Sequence, residues 1–305
     1  MPVNPQFAQI LPRLPEAIAM SRAIAEGKMP PIDMPPGAMG PITPVAHVEE
    51  RILATPEGPV PVRIYAPRRN TALPLVLFFH GGGFVSGDVN THDEITRQLA
   101  LAADCVIVSV SYRLAPAHPY PAALHDCLAV LDWAVAHAAE IGADATSLAV
   151  AGDSAGGNLA AVTALYLRDK GGVKLAAQLL IYPGTDLDSP REGSMAETGE
   201  GYYIPQDIMD FYHASYVAKA DSHSPYISPL RASSLANLPP ALVLVAEYDP
   251  LYDQGQAYAK RLAEDGVPTE LLNYEGAIHG FLSFPVPMGK EAIANCGAWL
   301  KAQLG

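Results

Sequence analysis

One short segment of the chain has the residue types and the spacing needed for nucleophilic catalysis. Gly152-Asp153-Ser154-Ala155-Gly156 is a G-x-S-x-G motif that lies between a predicted strand, SLAVA, and a predicted helix. In this setting the motif forms a sharp turn that holds the serine hydroxyl above a sheet. Ala155 then presents its backbone N–H at a helix N-terminus, where a developing negative charge is stabilised. We therefore predict that Ser154 is a nucleophile; an ordinary Gly/Ser turn is the alternative.

A second segment supplies backbone donors. His80-Gly81-Gly82-Gly83-Phe84 directly follows the apolar run LPLVLFF. Consecutive glycines leave backbone N–H groups free to approach a ligand closely. A phosphate loop is disfavoured because no G-K-[ST] follows and G-x-G-x-x-G is not matched. An H-G-G-G loop upstream of G-x-S-x-G is typical of an oxyanion hole.

A serine hydroxyl needs a base, and the base needs an acid that orients it. His279 follows the last predicted strand, and Asp249 ends the strand ALVLVAEYD. The order Ser154, Asp249, His279 is the order of an α/β-hydrolase triad. Asp253 is the alternative acid, but it is predicted to lie at a helix start, where a carboxylate also favours the helix dipole.

The remaining histidines lie in edge, helical or inserted segments and are most simply interpreted as solvated or core residues. His80 belongs to the glycine loop, and the others are His47, His92, His118, His125, His137, His213 and His223. No H-E-x-x-H or comparable ligand spacing occurs, so neither a metal site nor a cofactor is predicted.

These residues require a sheet that brings strand ends together. Eight strands are predicted, at 46–54, 60–66, 74–79, 105–111, 147–151, 176–182, 240–247 and 269–275. Helical patterns lie between the later strands, at 93–103, 121–140, 155–170, 252–265 and 290–303. Strand–helix alternation with continuous apolar strands predicts a mostly parallel sheet flanked by helices. The first two strands alternate more and predict an antiparallel edge hairpin.

Two segments interrupt the alternation and define the predicted domain organisation. Residues 1–45 are Pro-rich and partly helical, and residues 184–230 include a helical piece at 206–219. We expect both to form a helical cap over the site. Residues 46–183 and 231–305 are then the two parts of the core.

The motifs HGGGF, SYRLAP, GDSAGGNLA, DPLYDQ and HGF together resemble the bacterial hormone-sensitive-lipase-like carboxylesterases, which have the α/β-hydrolase fold. The resemblance covers nearly the whole chain from about residue 45. It implies a triad of Ser154, Asp249 and His279, and oxyanion donors on the backbone of Gly82, Gly83 and Ala155. It also implies a cap of the kind described above. The chain departs from the family at Ala117, where a glutamate usually follows the segment YRLAP.

Composition restricts the partners. The chain has 305 residues, with 19 Lys+Arg against 32 Asp+Glu and a net charge of −13. Such an acidic chain is expected to repel nucleic acids and anionic membrane surfaces. The three cysteines are too few and too widely spaced for a disulfide framework and are predicted to be core residues. With no membrane span and no secretory signal in the sequence, a cytoplasmic location is predicted.

The predicted function is hydrolysis of short- to medium-chain carboxylic esters through an acyl-enzyme. The alternatives are an amidase or carbamate hydrolase with the same triad, and a non-catalytic module that binds small ligands. A small-molecule ester is the predicted partner, and the resemblance implies a possible homodimer. Aromatic residues of the cap and the glycine loop are candidates for the substrate pocket: Phe84, Tyr202, Tyr203 and Phe211.

Overall fold

The computed structural model describes residues 3–29, 37, 42–69 and 71–305. Its eight strands form one sheet in the order β1-β2-β4-β3-β5-β6-β7-β8. The strands are β1 His47–Thr55, β2 Gly58–Ala66, β3 Leu73–Phe79, β4 Val106–Val110, β5 Ala143–Asp153, β6 Ala177–Ile181, β7 Ala241–Tyr248 and β8 Thr269–Ile278. The helices are α1 Leu14–Ala25, α2 Asp93–Ala103, α3 Ala122–Ala136, α4 Ala155–Lys170, α5 Ser194–Glu197, α6 Gln206–Val217, α7 Tyr252–Glu264 and α8 Pro287–Leu304.

The sheet is parallel from β3 and β4 through β8, whereas β1 and β2 pair antiparallel with each other and β2 pairs antiparallel with β4. The central strands are buried along nearly their whole length, as expected of a parallel sheet covered on both faces. This confirms the predicted α/β-hydrolase architecture, including the edge hairpin.

The helices cover the sheet in packed groups. Helix α2 packs against α8, α3 packs against α4, and α7 lies along β7. The carboxyl ends of the parallel strands meet at one edge of the sheet, where ligand sites of such folds form. This edge holds the ends of β3, β5, β7 and β8, which carry the residues singled out by the sequence.

Helices α1, α5 and α6 lie outside the strand–helix alternation. Helix α6 meets α1 through Arg22, whose Nη1 lies 3.2 Å from Oδ2 of Asp207 and whose guanidinium covers the Phe211 ring at 5.0 Å. Much of the Pro-rich part of the first predicted cap segment, at 30–36 and 38–41, lies outside the described residues. Among the residues that are described, no helix is long and apolar enough to cross a membrane.

The protein interior contains three cysteines and a buried ion pair. Cys105, Cys127 and Cys296 are free thiols and fully buried, as predicted for core residues. Arg63 of β2 and Asp93 of α2 form a buried ion pair with 3.1 Å between Nη1 and Oδ1. The Asp93 carboxylate also accepts a 2.7 Å hydrogen bond from the Tyr65 hydroxyl, so it ties α2 to the sheet.

Candidate active site

The turn after β5 places Ser154 at the carboxyl edge of the sheet. Ser154 has φ +55° and ψ −117°, a strained conformation for a residue with a side chain, and α4 starts at the next residue. Its N–H donates to the carbonyl of Ile181 on the neighbouring strand β6, at 2.8 Å. Gly156 is required because a Cβ there would collide with the Phe79 carbonyl. The local sequence therefore produces the strand–turn–helix geometry that the G-x-S-x-G motif requires.

Asp249 directly follows β7 and His279 directly follows β8, and their side chains lie close to Ser154. His279 Nε2 lies 2.9 Å from Ser154 Oγ, and His279 Nδ1 lies 2.6 Å from Asp249 Oδ2. The other oxygen of Asp249 accepts the N–H of Leu251 at 2.7 Å. All three side chains are nearly inaccessible: Asp249 is 0% exposed, His279 2% and Ser154 8%. A continuous hydrogen-bonded chain from carboxylate to hydroxyl is therefore present.

The alternative acid, Asp253, has a different partner. It lies in the first turn of α7, where its Oδ2 accepts the backbone N–H of Ser194 at 2.8 Å. The carboxylate thus anchors α5 to α7. The structure brings Asp249, and not Asp253, to the imidazole.

The glycine loop after β3 lies beside Ser154. Gly82 and Gly83 have φ +121° and +61°, and a Cβ at Gly83 would enter the ring of Tyr212. Within the part of the chain that the structure describes, the N–H groups of Gly82, Gly83 and Ala155 donate to no other protein group. Unpaired backbone donors next to a serine hydroxyl are what an oxyanion site requires.

A cavity of about 30 Å³ opens onto Ser154. Apart from Ser154, its lining is mainly apolar and comes from the glycine loop, the start of α4, the segment after β6, helix α6 with the residues before it, and the residues before α7: Gly83, Phe84, Ala155, Gly184, Leu187, Ile204, Met209, Tyr212, His213 and Leu251. Helix α6 forms part of the wall of this cavity.

Of the aromatic residues predicted for the pocket, Phe84 lines the cavity and also stacks on Tyr216, with 3.7 Å between ring centroids. The cavity lining does not include the other three. Tyr202 packs on Tyr248, and Phe211 lies beneath Arg22 of α1.

Tyr203 is the partial exception, because its ring lies 6.0 Å from that of His279 and against Gly280. It therefore borders His279 without lining the cavity. On α6 the residues that do face the cavity are Met209, Tyr212 and His213, at i, i+3 and i+4. This spacing is one helix face, and Phe211 lies on another.

The sequence interpretation did not place His213 at the site and treated it as a solvated or core histidine. Burial lowers its pKa to about 4, against the opposing charges of Asp210, Asp186 and Asp188. The imidazole is therefore neutral near pH 7 and is a polar group in an otherwise apolar lining. In the sequence, the i, i+3, i+4 spacing of Met209, Tyr212 and His213 was the available signal that these side chains share one helix face.

Comparison with known proteins places this geometry in a family. A family model described as alpha/beta hydrolase fold matches residues 76–283. Esterase LipI of Mycobacterium tuberculosis is 40% identical over 297 residues, which cover 95% of this chain and 92% of the relative. An arylesterase of Saccharolobus solfataricus is 40% identical over 263 residues, covering 86% of this chain and 85% of the relative.

Similarity to solved structures leads to the same family. The structure of a hyperthermophilic esterase from the archaeon Pyrobaculum calidifontis superposes with a TM-score of 0.87 at 37% identity and covers 99% of both chains. The chain belongs to the α/β-hydrolase-fold family, and the resemblance that its motifs indicated is confirmed. Within that family it is a serine hydrolase of the esterase group.

Proposed function

We propose that the protein hydrolyses short- to medium-chain carboxylic esters with Ser154 as nucleophile, His279 as general base and Asp249 as the orienting acid. The observation that carries this proposal is the hydrogen-bonded chain between them, with 2.6 Å from Asp249 Oδ2 to His279 Nδ1 and 2.9 Å from His279 Nε2 to Ser154 Oγ. The first contact fixes the tautomer with the proton on Nδ1, which leaves Nε2 free to accept the serine proton.

In the acylation half, Ser154 Oγ attacks the ester carbonyl carbon while its proton passes to His279 Nε2. The imidazolium formed is stabilised by the buried Asp249 carboxylate. The tetrahedral intermediate then collapses, the C–O bond to the alcohol breaks, and the alcohol leaves with the proton from Nε2. In the second half a water molecule loses its proton to His279, attacks the acyl-enzyme and releases the carboxylic acid, restoring Ser154.

The negative charge that develops on the carbonyl oxygen is assigned to the backbone N–H groups of Gly82, Gly83 and Ala155. Their lack of other partners within the described residues supports this assignment. Removing one such donor in related sites costs about 10² to 10³ in kcat. The start of α4 adds the positive end of a helix dipole at the same point.

The substrate class is argued from the cavity and from relatives. The cavity beside Ser154 is about 30 Å³ and mostly apolar, which favours small acyl groups. Among similar proteins, one from Pseudomonas putida is named ethyl acetate hydrolase, at 39% identity over 77% of this chain. We extend small-ester hydrolysis to this chain on these two grounds.

The cap is part of the proposal. We assign residues 1–45 and 184–230 to it, with 46–183 and 231–305 as the core. The contact between Arg22 and Asp207 supports this division, as does the face of α6 that lines the cavity. The cytoplasmic location and the homodimer stay predictions.

The test is hydrolysis of p-nitrophenyl esters from acetate to palmitate by wild type and by Ser154→Ala. We expect the wild type to prefer the short chains and Ser154→Ala to lose about 10⁴ or more in kcat. Ser109→Ala is the matched control, because Ser109 is a fully buried serine whose hydroxyl has no partner within the described residues. Near-native turnover by Ser154→Ala would refute the triad; wild type cleaving an anilide but no ester would favour the amidase alternative.

A further inference from the structure

Asp153, the residue before the nucleophile, is buried beneath the site and is not used by the triad. It is 3% exposed. Its Oδ1 accepts the backbone N–H of Gly81 at 2.9 Å. Gly81 immediately precedes the donors Gly82 and Gly83, and Asp153 lies two residues before the donor Ala155. One carboxylate therefore joins the two separate segments from which the oxyanion donors come.

A histidine from a third segment completes the contact. His92, 7% exposed, precedes α2, and its Nε2 lies 3.3 Å from Asp153 Oδ1. On the other side of the ring, His92 Nδ1 lies 2.9 Å from the hydroxyl of Thr91, which itself donates to the carbonyl of Asp88. The backbone N–H of Gly81 also lies 3.3 Å from His92 Nε2, so the histidine contacts the glycine loop as well as the Asp153 carboxylate.

Electrostatics agree with a charged pair. Burial raises the pKa of Asp153, but His92 and the Gly81 N–H outweigh burial, so the net pKa is lowered. Burial lowers the pKa of His92, but the charge and hydrogen bond of Asp153, with Asp88 behind, outweigh it, so the net pKa is raised. His80, the other titratable neighbour, is stacked on Tyr112 at 4.2 Å and is kept neutral by burial.

We propose that Asp153 and His92 are positioning residues that set the distance between the glycine-loop donors and the nucleophile turn. The inference rests on the proposed function, since it concerns the oxyanion donors assigned there. The proposal is based on two contacts of the buried Asp153 carboxylate: it accepts the backbone N–H of Gly81, and it pairs with the His92 ring. Packing alone does not call for a buried ion pair, because apolar residues of similar volume fill such space with equal or better stability. Alignment of donors does call for it, since a displacement of about 1 Å costs about 10² in rate.

The experiment measures kcat, KM and thermal midpoint for Asp153→Ala, Asp153→Asn and Thr91→Val on p-nitrophenyl acetate. Asp153→Ala removes both contacts, and we expect kcat to fall about 100-fold with KM within about threefold. Asp153→Asn keeps an acceptor for Gly81 but loses the charge, and a smaller fall, about tenfold, is expected. Thr91→Val leaves Asp153 in place and frees one side of His92, with about a fivefold fall in kcat.

Asp126→Asn is the matched control. Asp126 is a buried aspartate that also accepts a backbone N–H, from Arg113 at 2.8 Å, and pairs with a guanidinium. Among the described residues it makes no hydrogen bond to the glycine loop or the nucleophile turn. We expect it to lower the thermal midpoint as Asp153→Asn does while leaving kcat within about twofold.

The outcomes separate a positioning role from a structural one. A graded loss of kcat at nearly constant KM, absent from Asp126→Asn, supports the proposal. Retention of kcat within about threefold by Asp153→Ala, or an equal loss in the control, overturns it. If Asp153→Ala does not fold, Asp153→Asn and Thr91→Val decide by the same criteria. Wild-type cleavage and Ser154→Ala inactivity report on the proposed function independently.

Discussion

Shortening Met209 should shift the preferred acyl chain toward longer esters. Met209 is 4% exposed and lines the cavity of about 30 Å³ beside Ser154. Met209→Ala removes three heavy atoms from the cavity wall, which makes room for up to about three methylenes. Each buried methylene contributes about 0.8 kcal/mol, or about fourfold in kcat/KM. The ratio of kcat/KM for the hexanoate ester to that for the propionate ester should therefore rise by up to about 60-fold.

The assay compares p-nitrophenyl esters of increasing length at fixed pH, with Met195→Ala as the matched control. Met195 of α5 is a buried cap methionine, 5% exposed, that does not line the cavity. Both substitutions should cost about 2–5 kcal/mol of folding stability, so their thermal midpoints should fall together. An unchanged chain-length ratio in a folded Met209→Ala protein would refute the reasoning. An equal shift in Met195→Ala would show that cap loosening, and not pocket depth, selects the chain.

Three further predictions concern the acid, a buried histidine and a buried ion pair. Asp249→Asn should lower kcat about 10⁴-fold on p-nitrophenyl acetate, because the wrong imidazole tautomer is then favoured. Burial lowers the pKa of His80 to about 4. Between about pH 6.5 and pH 4 the unfolded chain therefore binds more protons than the folded protein, and the free energy of unfolding falls as the pH drops through this range. Urea titrations at several pH values should show that His80→Gln removes about 3 kcal/mol of that fall. Asp93→Ala should cost about 3–5 kcal/mol in urea unfolding because it removes the buried carboxylate that pairs with Arg63 and accepts from the Tyr65 hydroxyl. Glu50→Ala, which removes an exposed partner of the same arginine, should cost under about 1 kcal/mol.

Much of the sheet was predictable because each strand is a short apolar run between turn signals. The strand ends were not, since they depend on pairing between distant residues. Strand β5 begins at Ala143 and not at 147 because 143–144 pair with the start of β3, before a register shift. Strand β8 continues to Ile278 because that residue pairs with Tyr248 of β7 after another shift.

The candidate site also has a part that was predictable from the sequence and a part that was not. Ser154, Asp249 and His279 were identifiable because each follows a recognisable strand, and parallel strands end at a common edge. The cavity lining was harder, because the face that α6 turns toward the cavity depends on its packing against distant parts of the chain. Phe211 and Tyr212 are adjacent in sequence, yet Phe211 lies under Arg22 and Tyr212 over Gly83.

The buried cysteines have a practical consequence for labelling helix α6 in solution. Burial raises the pKa of all three thiols, that of Cys296 to about 12. Thiolates are the reactive species toward maleimides, so the native chain should be inert to such dyes while folded. A cysteine introduced at Ala214, an exposed position on α6, would then be the single labelling site. A fluorophore there would report the surroundings of α6 directly, with no need to mutate the native thiols first.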